Sequence, residues 1–236
     1  MGTHGDIEAA PEILGRQMYG VAEAARLLRI ESAKLRRWLN GAVIQGREYP
    51  PVIRVERSGS DVLTWAEFIE AGFLREYRDR SVPLQRLRPF IDALRVETEV
   101  EHPLAYFQPA VDESKRELVL KAQQDVALED QLVLVRRAGP GWQLQWAEPV
   151  LRFLDKVEFN PLGVAERMHP LGKARPVRLD PEVQFGIPQI RGLRTEAIAE
   201  AFAEVGDASR VAKEWNLDES EVQAALQWEL VTAAAA

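Results

Sequence analysis

The sequence predicts a mainly helical α+β protein in three parts, with helical units at both ends and a small β-containing region between them. Three observations carry this expectation. Near both ends of the 236-residue chain, apolar residues recur at i, i+3, i+4 and i+7 in short runs that only a few residues separate. Between them, from about residue 100, the pattern changes to brief β-type segments punctuated by glycine and proline. Charge is divided as well: the total is −7, but residues 16–88 carry a net +5 and residues 176–236 a net −6. Such a split points to two surfaces with two partners, one of them an anion such as nucleic acid.

Composition narrows the class. At 46% hydrophobic and 28% charged the chain can bury a sizeable core. No run approaches the ~18 apolar residues of a membrane helix, and MGTHGDIEAAPEILG lacks the basic and apolar regions of a signal peptide, so a cytoplasmic protein without a membrane partner is expected. The absence of cysteine excludes disulfides, thiolate catalysis and cysteine-type zinc sites. His4, His102 and His169 are too dispersed to suggest a metal site. No paired histidines, glycine-rich phosphate loop or metal-spaced cluster appears, so neither an enzyme nor a cofactor is expected.

In order along the chain, Val21, Ala24, Ala25 and Leu28 mark a first short helix, and Ser32 is positioned to cap a second. The second helix turns Leu35, Trp38 and Leu39 to one side and ends at Asn40 and Gly41. Its other faces carry Lys34, Arg36 and Arg37. A helix entering the major groove needs this division, with an apolar side on the core and cations toward phosphates and bases. Two helices joined by three residues, the second basic, predict a helix-turn-helix. Segments 52–56 and 62–64 flank Ser58, Gly59 and Ser60 and predict a hairpin, or wing, carrying Arg54 and Arg57. Thr64 with Glu67 forms a capping box for the next helix. From Pro83 a further helix spaces Leu84, Leu87, Ile91 and Leu94 in heptad fashion, a seam open either to a second copy in a homodimer or to packing inside one chain.

Residues 99–159 read as a small α+β domain. Strands are expected at 117–121, 131–137 and 143–146, the last two joined by Ala138, Gly139, Pro140 and Gly141. Val150, Phe153 and Leu154 suggest a helix against that sheet, and Val157 with Phe159 one more strand. Asp125, Glu129 and Asp130 have no spacing that fixes ligand geometry and read as a solvated loop. Residues 160–176, rich in proline and glycine, read as a linker or arm. The last part, 177–230, begins with VRLDPEVQFGIPQIRGLRT. Three capped helices follow: from Thr195 with Ile198, Ala201, Phe202 and Val205 to Gly206; from Asp207 with Val211, Ala212 and Trp215; and from Asp218 and Glu221 with Val222, Ala225 and Leu226.

Residues 19–98, in the runs YGVAEAARLLRIESAKLRRWL and LTWAEFIEAGFLREYRDRSVPLQRLR, resemble the winged helix-turn-helix of the MerR-like class, with Arg29 where that class often has a turn glycine. The resemblance implies DNA binding through Lys34, Arg36, Arg37, Arg54 and Arg57, the residues that charge alone selects. Residues 176–230 resemble the C-terminal domain of a bacterial antitoxin family first catalogued as domain of unknown function 433, on Gly186, Pro188, Arg191, Gly192 and Arg194 in that order. This resemblance implies a VapB-like antitoxin, of the larger mycobacterial type, that binds a PIN-type ribonuclease toxin.

The last helix carries Asp218, Glu219, Glu221 and Glu229 and no cation, so phosphates repel it and operator binding is assigned to the basic N-terminal unit. The acidic unit is left to bind the toxin or its own twin. Arg191 and Arg194 have two roles open to them: insertion among the carboxylates of the toxin's active site, or bracing of their own loop. The expected function is therefore an antitoxin that neutralises its toxin and represses its own operon. The alternative is a one-component transcription regulator whose middle domain senses a small ligand, with Trp142 and Trp146 as pocket walls or as ordinary packing residues.

Overall fold

The computed structural model describes residues 9–79, 83–106, 113–127, 133–138 and 141–233. It is α+β and mainly helical, with the strands arranged as two-stranded antiparallel ladders. After helix α1 (Ala9–Gly15) and strand β1 (Gln17–Gly20), helices α2 (Val21–Leu28) and α3 (Ser32–Asn40) form the first helix-turn-helix. Arg29 closes α2 in the left-handed conformation, and the Ile30 N–H donates to the Ala25 carbonyl across the turn. This wrapping of the last turn buries Ile30, a contact that offsets the cost of a non-glycine residue at positive φ. The N-cap of α3 is Glu31 rather than Ser32, without a side-chain capping bond.

The wing lies elsewhere than the sequence suggests. Strands β2 (Ala42–Ile44) and β3 (Arg47–Tyr49) pair around Gln45 and Gly46, both at positive φ, a two-residue turn whose twist matches that of the strands. Residues 52–56 form no strand. The N–H groups of Val52 and Ile53 instead donate to the Trp38 carbonyl and close the end of α3. Strand β4 (Val62–Thr64) pairs with β1 and leads through the capping box of Thr64 and Glu67 into α4 (Trp65–Arg78).

Helix α5 (Leu84–Thr98) starts after Pro83, and Leu87, Ile91 and Leu94 are buried within the chain's own core. The heptad seam is therefore not free for a second copy. Residues 117–121 belong to helix α6 (Glu113–Asp125), not to a strand; Val119, Ala122 and Gln123 are buried at helical spacing. The central hairpin is β5 (Val133–Ala138) with β6 (Gly141–Trp146). Helix α7 (Glu148–Leu154) packs on α4, where Phe153 meets Phe73 edge-on at 5.1 Å, rather than on the central hairpin. Nor is 160–176 a linker. Strand β7 (Val157–Phe159) pairs with β8 (Ala165–Met168), and Val164, Ala165, Met168 and His169 are buried. His4, Glu129, Asp130, Gln131, Gly139 and Pro140 lie outside the described residues.

The hairpins join end to end: Met168 bridges Leu179, and Arg178 bridges Gln189 of strand β9 (Gln189–Ile190), which pairs with β10 (Leu193–Arg194). Helices α8 (Thr195–Val205), α9 (Ala208–Trp215) and α10 (Glu219–Ala233) complete the chain. Gly206 ends α8 at positive φ, and the Asp207 carboxylate accepts from the N–H groups of Ser209 and Arg210. Asn216 repeats the left-handed turn of Arg29, with Leu217 N–H donating to the Ala212 carbonyl.

Helix α4 is buried on nearly every side, and it buries carboxylates with its aromatics. Glu67 pairs with Arg54 at 2.6 Å, Glu70 with His102 at 3.0 Å, and Glu76 with Arg152 at 3.2 Å and Lys156 at 2.5 Å. A buried charge is tolerated only when partnered in this way. Arg54→Ala should destabilise the chain by about 3–5 kcal/mol, read as a lower urea midpoint, because Glu67 is left charged in the core; a loss under about 1 kcal/mol would show the pair behaving as an exposed one. Burial opposes the charge on His102, yet the charge and hydrogen bond of Glu70 outweigh it and hold the imidazole pKa above its ordinary value. The resulting stabilisation is complete below the unfolded pKa of about 6.5 and disappears as pH rises through the higher folded value. Urea midpoints between mildly acidic and mildly alkaline pH should fall more in the native chain than in His102→Gln, and parallel profiles would refute this.

Candidate functional site

Helix α3 sets Leu35, Trp38 and Leu39 in the core and leaves its cations outward. Arg37 is exposed and has no ion-pair partner among the described residues. The Lys34 ammonium stands 5.5 Å from the centre of the Trp38 ring. Arg36 is engaged in a two-point bond with Asp61 at 3.0 and 3.2 Å, and that hydrogen bond holds the Asp61 carboxyl below the usual carboxylate range. Both side chains are half-exposed or more, so the pair is worth little to stability. Arg57 reaches Glu48 of β3 at 3.4 Å, tying its loop to the wing.

Arg54 does not belong to this surface. It is 6% exposed, and besides Glu67 it donates to Asn40 Oδ1, Ser58 Oγ and the carbonyls of Ser60 and Val62. Its role is to hold the loop between α3 and β4, which removes it from the DNA-binding set. Arg47, by contrast, is exposed on the β2–β3 hairpin, 5.5 Å from the Tyr49 ring. The signal in the sequence was Gln45 followed by Gly46, a less familiar form of the asparagine–glycine turn. Between α3, the base of the wing and α5 lies a cleft of about 620 Å³, bordered by Lys34, Arg37, Trp38, Tyr49 and Arg88. Arg88 donates to the carbonyls of Pro50 and Pro51, which fixes the wing's base. No carboxylate lines this cleft among the described residues.

The glycine-rich stretch after residue 177 docks on the N-terminal unit. Gln184, Phe185 and Gly186 have consecutive φ values of 49°, 55° and 71°. Burial raises the pKa of the Tyr19 hydroxyl, which stays protonated and donates to the Gly186 carbonyl at 2.7 Å. Arg16 donates to the Pro181 carbonyl at 2.9 Å. Arg191 and Gly192 form the β9–β10 turn at φ 49° and 85°. The Arg191 guanidinium lies 2.9 Å from Glu221 and also reaches Asp218 and the Asn216 carbonyl, so it braces the loop against the start of α10. Arg194 is exposed and donates to the Gln184 side chain at 3.2 Å. Phe185, which the sequence reading passed over, is 80% exposed on the crest of this strained turn. In the central hairpin, Trp142 and Trp146 fall opposite Arg137 and Val133. Among the described residues no cluster of three or more histidines and carboxylates is placed to hold a metal ion, and no helix is long and apolar enough to cross a membrane.

A Cβ on Gly186 would fall 2.3 Å from the Tyr19 hydroxyl, at a φ that side chains disfavour. Gly186→Ala should therefore cost at least about 2 kcal/mol in urea unfolding, and Tyr19→Phe should relieve part of that loss; a Gly186→Ala chain of native stability would sink the docking argument.

No protein-family model matches the chain. The uncharacterised protein Rv2308 of Mycobacterium tuberculosis (strain ATCC 25618 / H37Rv) is 28% identical over 225 residues, spanning 92% of this chain and 91% of its own length. The X-ray crystal structure of Rv2018 from Mycobacterium tuberculosis is similar with a TM-score of 0.70 at 24% identity, over 89% of this chain and 98% of that one. That likeness extends to the fold of nearly the whole chain and speaks to fold alone.

Proposed function

We propose that the protein is a DNA-binding antitoxin: the winged N-terminal unit holds operator DNA, and the C-terminal unit engages a PIN-type ribonuclease. The observation that carries the DNA half is the cationic surface formed by α3 and the β2–β3 wing, where Lys34, Arg37 and Arg47 have no acidic partner among the described residues. A helix and wing that present cations on one side match the electrostatic needs of a duplex. The antitoxin half rests on the resemblance of the GIPQIRGLRT segment, and the geometry refines its residues. Arg191 is already occupied with Glu221 and Asp218, which favours the bracing role. Arg194 and the neighbouring Phe185 remain exposed for a partner. A homodimer would form through a surface other than the α5 seam.

The cleft beside Trp38 and Tyr49 favours a second reading, a ligand-responsive regulator, with its pocket at the DNA-binding surface rather than in the middle domain. Coexpression with the adjacent gene discriminates the two. The antitoxin reading expects a co-purifying small ribonuclease that is silent until dissociated, and its absence with a folded partner present would overturn that reading. For the DNA half, each of Lys34→Ala, Arg37→Ala and Arg47→Ala should weaken duplex binding and reduce the salt slope by about 0.9; unchanged slopes in all three would remove DNA from this face.

A further inference from the structure

A cationic hollow lies in the acidic C-terminal half. Residues 169–178, HPLGKARPVR, hold Lys173, Arg175 and Arg178 without an acid among them. They run past the β9–β10 turn and the start of α10, and the three enclose a cleft of about 400 Å³. Glu221 is the one carboxylate on its wall among the described residues, and it is already neutralised: one oxygen meets Arg191 at 2.9 Å and the other accepts the Asp218 N–H at 2.8 Å. Lys173, Arg175 and Arg178 have no ion-pair partner among the described residues. Arg178, on the wall, keeps its buried Nε–H without a hydrogen-bond partner, whereas the His169 beside it turns Nε2 to Glu158 at 2.8 Å. A buried donor left unmatched is costly, and an acceptor in the cleft would satisfy it. Ser220, in the first turn of the fifteen-residue α10, adds the positive end of a helix to the same wall.

Donors thus approach from three directions: the 173–178 segment, the hairpin and the helix terminus. A flat carboxylate satisfies one arginine fork, whereas a tetrahedral group accepts from several sides. We propose that this cleft is a phosphate-binding site, with Lys173, Arg175 and Arg178 as its cationic ligands, and that it takes the phosphate of a nucleotide or of a nucleic-acid strand. The site is separate from the α3 surface and does not depend on the antitoxin reading.

The test uses the full chain carrying Lys34→Ala and Arg37→Ala, so that the winged unit contributes little. Inorganic phosphate, a 5′-mononucleotide, a single-stranded oligonucleotide without terminal phosphates and an aspartate-rich peptide are titrated calorimetrically at constant ionic strength. Saturable binding of a phosphate probe is expected, weakened tenfold or more by Lys173→Ala with Arg175→Ala, because each charge-assisted bond is worth roughly a tenfold change or more. Both positions are exposed, so the variant should keep its unliganded melting temperature. A tighter mononucleotide identifies a free nucleotide as the source, and a tighter oligonucleotide identifies a strand. No saturable phosphate binding, or binding that the double variant leaves unchanged, overturns the proposal. Preference for the peptide overturns it in favour of a partner protein's carboxylates.

Discussion

The fold depends on charges that α4 carries into the core. A helix buried on nearly all sides is held in rotation by little more than shape when its contacts are apolar, since one greasy face resembles another. Glu67, Glu70 and Glu76 remove that freedom. Each meets a partner from a different part of the chain: Arg54 from the loop after the wing, His102 from the segment after α5, and Arg152 with Lys156 from around α7. A wrong rotation would strand carboxylates in a medium of low polarity, at a cost of several kcal/mol for each. Directionality at this helix therefore fixes where α3 and the wing stand relative to the rest.

The two helix-turn-helix units show how geometry and function separate. Both turns place a non-glycine residue, Arg29 or Asn216, in the left-handed conformation and then bury the following apolar residue. The backbone device is the same, but the second helices differ in what they present. Helix α3 leaves Lys34 and Arg37 to solvent, whereas α10 begins among acids and lies against α2 and α8. Shape alone would nominate either as a DNA reader; surface charge and access favour the first.

Much of this was legible in the sequence wherever a short-range rule decides the outcome. Caps at Thr64 and Asp207, stops at Gly41 and Gly206, and the apolar stripes of the terminal helices all depend on neighbours within a few residues. Long-range contacts were not legible. Arg54 looks like any surface arginine until Glu67 and the Ser60 carbonyl are brought around it. The run at 117–121 has the apolar density of a strand, and only packing against α5 reveals its helical period. Proline and glycine between 160 and 176 suggested an arm, but they mark tight corners between β7, β8 and the bridge at Leu179. At the candidate site, the cations of α3 could be read directly, while Arg47 required knowing which turn makes the wing. The basic run at 173–178 was visible as composition and acquired meaning only when the start of α10 closed over it.

Tyr19 and Gly186 are 167 residues apart, Arg16 and Pro181 165, and Trp65 and its acceptor, the Ala165 carbonyl, 100. A ribosome delivers the first of each pair long before the second. The winged unit consequently emerges with the Trp65 indole and the face of α4 around Gly72 uncovered, because Met168, which packs there, belongs to the last third of the chain. Closure of the core is thus a late event in synthesis, and the nascent N-terminal unit must stay soluble with an unfinished apolar flank until residues near 186 are free to dock.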